Sequence, residues 1–345
     1  MSKIDTKTSK KDDYASFIEI LKKYGIVFVL ILMIIGISIV EPKFLRPSNI
    51  FNVLTQSSIY GIMALGMTLV IISKGIDLSV GSILALSGVM AASFGQQATA
   101  TGKYFPGLGE MSIIVPILVA LIVGAFCGSI SGFLIAKTNI PPFIATLGMM
   151  TVARGFALLY TGGKPISTLI PSLKKIGGNL EGILPIPIIG KIPVPVLIYL
   201  IVIAITWVLL NDTRFGKNVY AIGGNIKAAE ISGVHVKRNL VFIYAFSGLL
   251  AGLAAIVFAG RVGSVHPGAA TGYELTTIAA TTIGGTSHSG GIGTIWGAFV
   301  GAMVLAVMRN GMTLLHVHAY WQQIAEGLII VVAVIIDMRK NAKKA

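Results

Sequence analysis

Of the 345 residues, 54% are apolar and only 12% charged, and the mean hydropathy is +0.86; soluble domains carry about 25% charged residues, so that class is excluded. The net charge of +14 does not indicate nucleic acid, because the basic residues lie in tails and loops between apolar runs, with no basic face interleaved with aromatics. A single cysteine, Cys127 in an apolar Gly/Ala-rich run, excludes an internal disulfide and a cysteine-based metal site.

Residues 1–23 form a polar head, and no small-residue cleavage site follows the first apolar run before Glu41-Pro42, so an uncleaved first span is expected. The chain then reads as an all-α polytopic bundle of about ten spans: 25–40, 57–73, 81–97, 112–136, 143–161, 194–211, 239–259, 273–286, 292–309 and 321–337. Residues 24–337 make up the membrane domain and 338–345 a second tail. An even count puts both termini on one side. Seventeen basic residues fall in the segments on that side and nine in the opposite segments, which predicts cytosolic termini. Glycines repeat at helical spacing in Gly124, Gly128 and Gly132 and in Gly297 and Gly301, a pattern that lets helices approach closely in lipid. Two Gly-rich breaks, GIDLSVGS beginning at Gly75 and GGTSHSGGIGT beginning at Gly284, interrupt the helical pattern; broken helices at membrane depth must face protein or a watery cavity. The proline-rich loop 162–193 should be irregular and lie at the outer face.

The one long polar run between spans, 213–238, carries five basic residues against Glu230, as a cytosolic loop should. Its second half predicts a two-turn helix with Asn225 as N-cap and Gly233 as stop. Ala228, Ala229 and Ser232 would give that helix a nearly flat side for a docking partner.

Asp77 in the first break reads equally as the cap of a helix beginning at Leu78 or as a carboxylate at the inner mouth. Arg154 and Glu326 lie at matching depths from the outer ends of their spans and are expected to pair, since an isolated charge is costly in lipid. Glu274 would stay hydrated at the outer edge. Hydroxyls can exchange hydrogen bonds with a polyol without the desolvation penalty of a full charge. Candidate path-lining groups are therefore Ser57, Thr68, Asp77, Ser79, Thr146, Thr281, Thr282 and Thr286. Enzyme chemistry is not supported: His316 and His318 have no third ligand nearby, and no nucleophile, base and oxyanion set can be assembled. Neither Gly284–Gly293 nor Gly216-Lys217-Asn218 completes a phosphate loop, so any ATP used must be hydrolysed by a partner.

Four segments, Gln56–Gly88, Pro141–Gly155, Thr213–Val234 and Thr271–Thr294, resemble in that order the permease subunits of bacterial ATP-driven monosaccharide importers of the ribose, galactose and inositol type. The resemblance covers about Phe44 to Asp337. It implies a homodimer in the inner membrane, a cytosolic ATPase subunit, an external sugar-binding protein and alternating access, with no cofactor and no metal. It also implies that Gly223, Gly224, Asn225, Ala228, Ala229 and Gly233, with Glu230 and Ser232 between them, form the helix that meets the ATPase. His288 and the long outer loop from Gly95 to Glu110 depart from the family pattern and leave the sugar open. The rival readings are a branched amino-acid or nucleoside permease, an ion-coupled secondary transporter and, more distantly, a membrane enzyme.

Overall fold

The structure is a computed structural model and describes residues 25–178, 184–186 and 190–342. Its helices in chain order are α1 (Gly25–Val40), α2 (Pro47–Ile72), α3 (Val80–Phe94), α4 (Ile114–Thr138), α5 (Pro142–Thr161), α6 (Pro171–Ile176), α7 (Val194–Asn211), α8 (Arg214–Gly224), α9 (Ile226–Ile231), α10 (Val236–Val262), α11 (Tyr273–Ile283), α12 (Ile295–Leu314) and α13 (Ala319–Ala342). A short antiparallel ribbon pairs β1 (Leu184–Ile186) with β2 (Gly190–Ile192). Proline opens α2, α5 and α6, where its preset φ favours the first turn and its missing N–H costs nothing.

This is a helical membrane bundle. Each of the ten expected spans is matched by a helix, α1–α5, α7 and α10–α13, and seven of these are long and apolar enough to cross a bilayer. The boundaries move where polar residues hid the helix: α2 starts ten residues earlier than expected, at Pro47, and α11 stops at Ile283. The loop after α5 is not wholly irregular, since it contains α6 and the ribbon. The polar head at 1–23 and the last residues of the second tail lie outside the described residues, while 338–342 continue α13.

The core is built around α2, whose apolar window is 94% buried, against 28% for α5 and 6% for α13. Neighbour relations repeat along the chain. α3 packs on α4 and α5 and reaches α10; α11 packs on α12 and α13 and reaches α2; α4 lies on α10 as α12 lies on α2. Taken as two sets of four, α2–α5 and α10–α13, the third helix of each set thus rests on the first helix of the other.

The α4–α10 crossing and the α12–α11 contact are made at the expected glycines. A Cβ on Gly124 or Gly128 would strike the α10 carbonyls of Gly248 and Tyr244, and one on Gly301 would strike that of Ala280 in α11. With no solvent difference to drive helices together in lipid, this close backbone contact supplies the dispersion energy of association. Loops segregate to two ends. At one end Ile166 and Val265 exchange backbone hydrogen bonds of 2.9 Å, and Gln97 N donates to Thr168 O. At the other end, the breaks after α2 and α11 meet the α8–α9 segment.

Gly128→Leu should therefore lower the thermal midpoint of the purified protein by the equivalent of about 1–3 kcal/mol or more, as overpacking against rigid backbone does. Gly36→Leu, on α1 where nothing lies within 4 Å of an added Cβ, should leave it unchanged. Thermal unfolding in detergent measures both.

Candidate functional site

Three chain segments converge at the end of the bundle where α2 stops. The first break, 73–79, turns on Lys74, which sits in the left-handed region at φ 64°, with Gly75 N bonded back to Val70 O at 2.9 Å. Asp77 is fully buried. One carboxylate oxygen accepts from Ser79 N at 2.9 Å and Ser79 Oγ at 2.5 Å, and the other from Ser247 Oγ of α10 at 2.9 Å. Thr146 of α5 donates to Ile76 O at 3.1 Å. Asp77 thus locks the break to α10, and α3 begins at Val80 instead of at Leu78. Both of its oxygens are used by the protein, so the carboxylate is a clamp here and not a solvated group at the mouth.

The second break, 284–294, closes on itself through Ser287 N to Ile292 O at 2.9 Å and Gly290 N to Ser287 O at 3.0 Å. Gly290 and Gly291 take φ of 81° and 72°, which only glycine adopts without strain. Asp337 of α13 accepts from Ser287 Oγ at 3.2 Å and His288 N at 3.0 Å, and His288 Nε2 lies 2.8 Å from Thr282 Oγ1. This break is therefore tied to α13.

The third segment is the polar run. Its first half is the helix α8, capped by Thr213 on Gly216 N. Gly291 N donates to Ile72 O at 2.8 Å, and Gly223 is pressed onto that pair so closely that an added Cβ would strike Ile72 O. Tyr220 OH donates to Gly293 O at 2.7 Å, and Lys74 Nζ reaches Gly224 O at 3.4 Å. Burial holds the Tyr220 phenol above its ordinary pKa, which keeps it a donor. One hydrogen-bonded knot therefore links α8 to the last residue of α2 and to the loop between α11 and α12.

Beyond it, α9 forms as the sequence predicts, with Asn225 Oδ1 accepting from Ala228 N at 3.1 Å and Gly233 in the left-handed conformation. The expected flat side needs correction. Ala229 is 4% exposed and packs inward on Ile222 and Val236, so it fixes α9 to its support. The outward surface presents Ala228, Glu230 and Ser232 together with Ile231, 89% exposed, and Ile226, 42% exposed. Arg214, Lys217, Lys227, Lys237 and Arg238 surround it, all exposed. Two features escaped the sequence reading. Gly216 and the Gly223-Gly224 pair disguised α8, although Phe215, Val219 and Ile222 follow helical spacing. Ile231 was passed over because a single apolar residue in a polar loop is a weak signal.

The eight proposed path groups are distributed through the interior. Ser57, Thr68, Asp77, Ser79, Thr146, Thr281, Thr282 and Thr286 are each at most 5% exposed. Ser57, Thr68 and Thr281 spend their hydroxyls on carbonyls of their own helices, and Thr286 Oγ1 has no hydrogen-bond partner among the described residues. Of these groups Thr282 borders a cleft between α11 and α13.

The expected Arg154–Glu326 pair does not form. Arg154 donates to the carbonyls of Pro267 and Ala269, at 2.6 and 2.8 Å, in the loop before α11. Glu326 instead meets Arg309 at 2.5 Å. Matching depth misled because α5 packs on α3 and α4 whereas α13 packs on α11 and α12. Arg309, a lone cation inside the apolar run of α12, was the signal that went unused. Glu274 is partly buried and receives Gly272 N at 3.1 Å, so it caps α11 instead of standing free in water. Among the described residues no three His, Cys, Asp or Glu side chains form a metal-binding group.

The family described as branched-chain amino acid transport system, permease component, matches residues 49–334. The chain is 41% identical to the ribose import permease protein of Escherichia coli K12, over 90% of this chain and 92% of that protein. It is 42% identical to the ribose import permease protein of Bacillus subtilis 168, over 94% and 95%. It is 40% identical to the galactose/methyl galactoside import permease protein of E. coli K12, over 95% and 98%. No solved structure matches. A helical bundle with two broken helices knotted to one polar loop, aligned almost end to end with such proteins, belongs to this family of transport-system permease components.

Proposed function

We propose that the chain is the membrane-spanning subunit of an ATP-driven importer of a monosaccharide of the ribose or galactose kind, working as a homodimer with a cytosolic ATPase subunit and an external sugar-binding protein. The observation that carries this reading is the knot at Ile72, Gly223 and Gly291, supported by the names of the relatives. A displacement of α8 and α9 is transmitted by hydrogen bonds to the ends of both broken segments without crossing a flexible linker. The chain has no phosphate loop to generate that displacement itself, so the work comes from a partner docked on α9.

On this reading both termini, both breaks and α8–α9 face the cytosol, consistent with the basic residues around α9. α5 and α13 have the least covered faces and border the second copy. Because the path hydroxyls are enclosed, sugar meets them only when the halves move apart. The family's description favours a branched-chain amino acid as the alternative cargo, and the same uptake assay distinguishes the two.

Replacing Ile231 with Asp changes a residue that supports nothing within the chain. Burying an isoleucine against a partner stabilises by about 1.5–3 kcal/mol, so uptake of labelled ribose or galactose by the complex in proteoliposomes should fall about tenfold or more. The thermal midpoint of the permease should not move. Unchanged uptake would remove α9 as the docking element.

Asp77→Ala strands buried Ser79 and Ser247 hydroxyls and should destabilise by about 1–3 kcal/mol for each group left unsatisfied. Asp77→Asn, which keeps the acceptor oxygen, should cost less. Differential scanning fluorimetry in detergent ranks the three proteins. A reversed order would show that Asp77 is not a clamp.

A further inference from the structure

At the opposite end from the knot, α2, α11, α12 and α13 enclose a cleft of about 570 Å³ whose wall includes Gln56, Tyr273, Arg309, Gln322, Gln323 and Glu326. That volume lies within the ~300–1,000 Å³ range of small-molecule sites. Glu326 sits seven residues from the start of α13 and Arg309 five from the end of α12, so both are about 8–10 Å inside their helices. Glu326 is 8% exposed. One of its oxygens meets Arg309, and the other, Oε1, is buried without a hydrogen-bond partner among the described residues. The Arg309 guanidinium is fixed by that carboxylate, by Thr276 Oγ1 at 2.9 Å and by the Tyr60 ring 5.6 Å away. A buried carboxylate oxygen without a partner is costly and needs a donor.

We propose that this cleft is a monosaccharide subsite at the outer end of the permease, a deepening that rests on the import reading above. Glu326 Oε1 accepts from one sugar hydroxyl. The amides of Gln56 and Gln323 supply both donors and acceptors for the others, and Gln322, whose Nε2 donates to Thr313 Oγ1 and Val317 O, offers its amide oxygen. The exposed part of the Tyr273 ring offers an apolar surface to the C–H face of the sugar. The two charges already neutralise each other, so the lining carries no net charge to attract an ion, while its mixed donors and acceptors suit a neutral polyol. The subsite would receive sugar released by the binding protein before the halves rearrange.

Saturation-transfer NMR on the full-length permease in nanodiscs, with D-ribose and D-galactose as probes and leucine as comparison, tests the assignment. Transfer to a sugar but not to leucine is expected. Glu326→Gln and Gln323→Leu should each reduce it about fivefold or more. Gln323 is exposed, so its substitution reports contact and not folding. Uptake by the complete complex is measured in parallel. Absent transfer, transfer undiminished in both variants or transfer to leucine alone overturns the subsite. If the complete wild-type complex takes up leucine but neither sugar, the import reading itself falls; sugar uptake with no transfer removes only the subsite.

Discussion

The backbone N–H of Gly291 and the carbonyl of Ile72 satisfy one another at 2.8 Å beneath Gly223. Much of the structure follows from the need for that contact. A helix that ends inside an apolar body leaves its last carbonyls without water, and each must find a donor. Ile72 finds one in the loop that follows α11. The helix end in one half is thereby fastened to the break in the other, and the only side chain small enough to lie over the junction is glycine's hydrogen. A larger residue at Gly223 would separate all three segments. The same contact explains why the polar run is helical from Thr213: α8 has to deliver Gly223 and Tyr220 to the junction in a fixed register.

Glycine plays a second part along the helix crossings, where the repeat of neighbour relations becomes a mechanical arrangement. α4 lies on α10 and α12 on α11 by backbone contact at glycine or alanine. Crossings of this kind resist separation but offer little side-chain interlocking against sliding. Polar clamps hold the breaks and one crossing: Asp77 joins its break to α10, Asp337 joins the other to α13, and Asn49 of α2 and Asn310 of α12 bond each other reciprocally at 2.9 Å.

The sequence was informative wherever a local rule sufficed. Gly124, Gly128 and Gly301 announced their crossings by spacing. Asn225 and Gly233 bounded α9 because cap and stop are chemical requirements of the helix end. Local rules failed where a partner distant in sequence decided the outcome. Nothing near Ala229 indicates that Ile222 and Val236 will cover it, and nothing near Glu326 says that its cation comes from α12 instead of α5. Depth along a helix gives one coordinate of a side chain, while pairing also needs the azimuth and the neighbouring helix, which only the assembled bundle supplies.

The placement of the hydroxyls bears on how such a chain could pass a polyol. A serine or threonine within a helix can bond the carbonyl three or four residues back, as Thr68 does with Ala64 and Thr281 with Thr277 and Ile278. These groups are therefore satisfied whether or not a substrate is present, and presenting them to a sugar exchanges one hydrogen bond for another at small net cost. A buried carboxylate with all its acceptors filled, such as Asp77, has no such latitude, since withdrawing its donors leaves a charge uncompensated. The two kinds of polar residue thus differ: the carboxylate clamps fix the frame, and the hydroxyls keep a hydrogen bond whether they face protein or polyol.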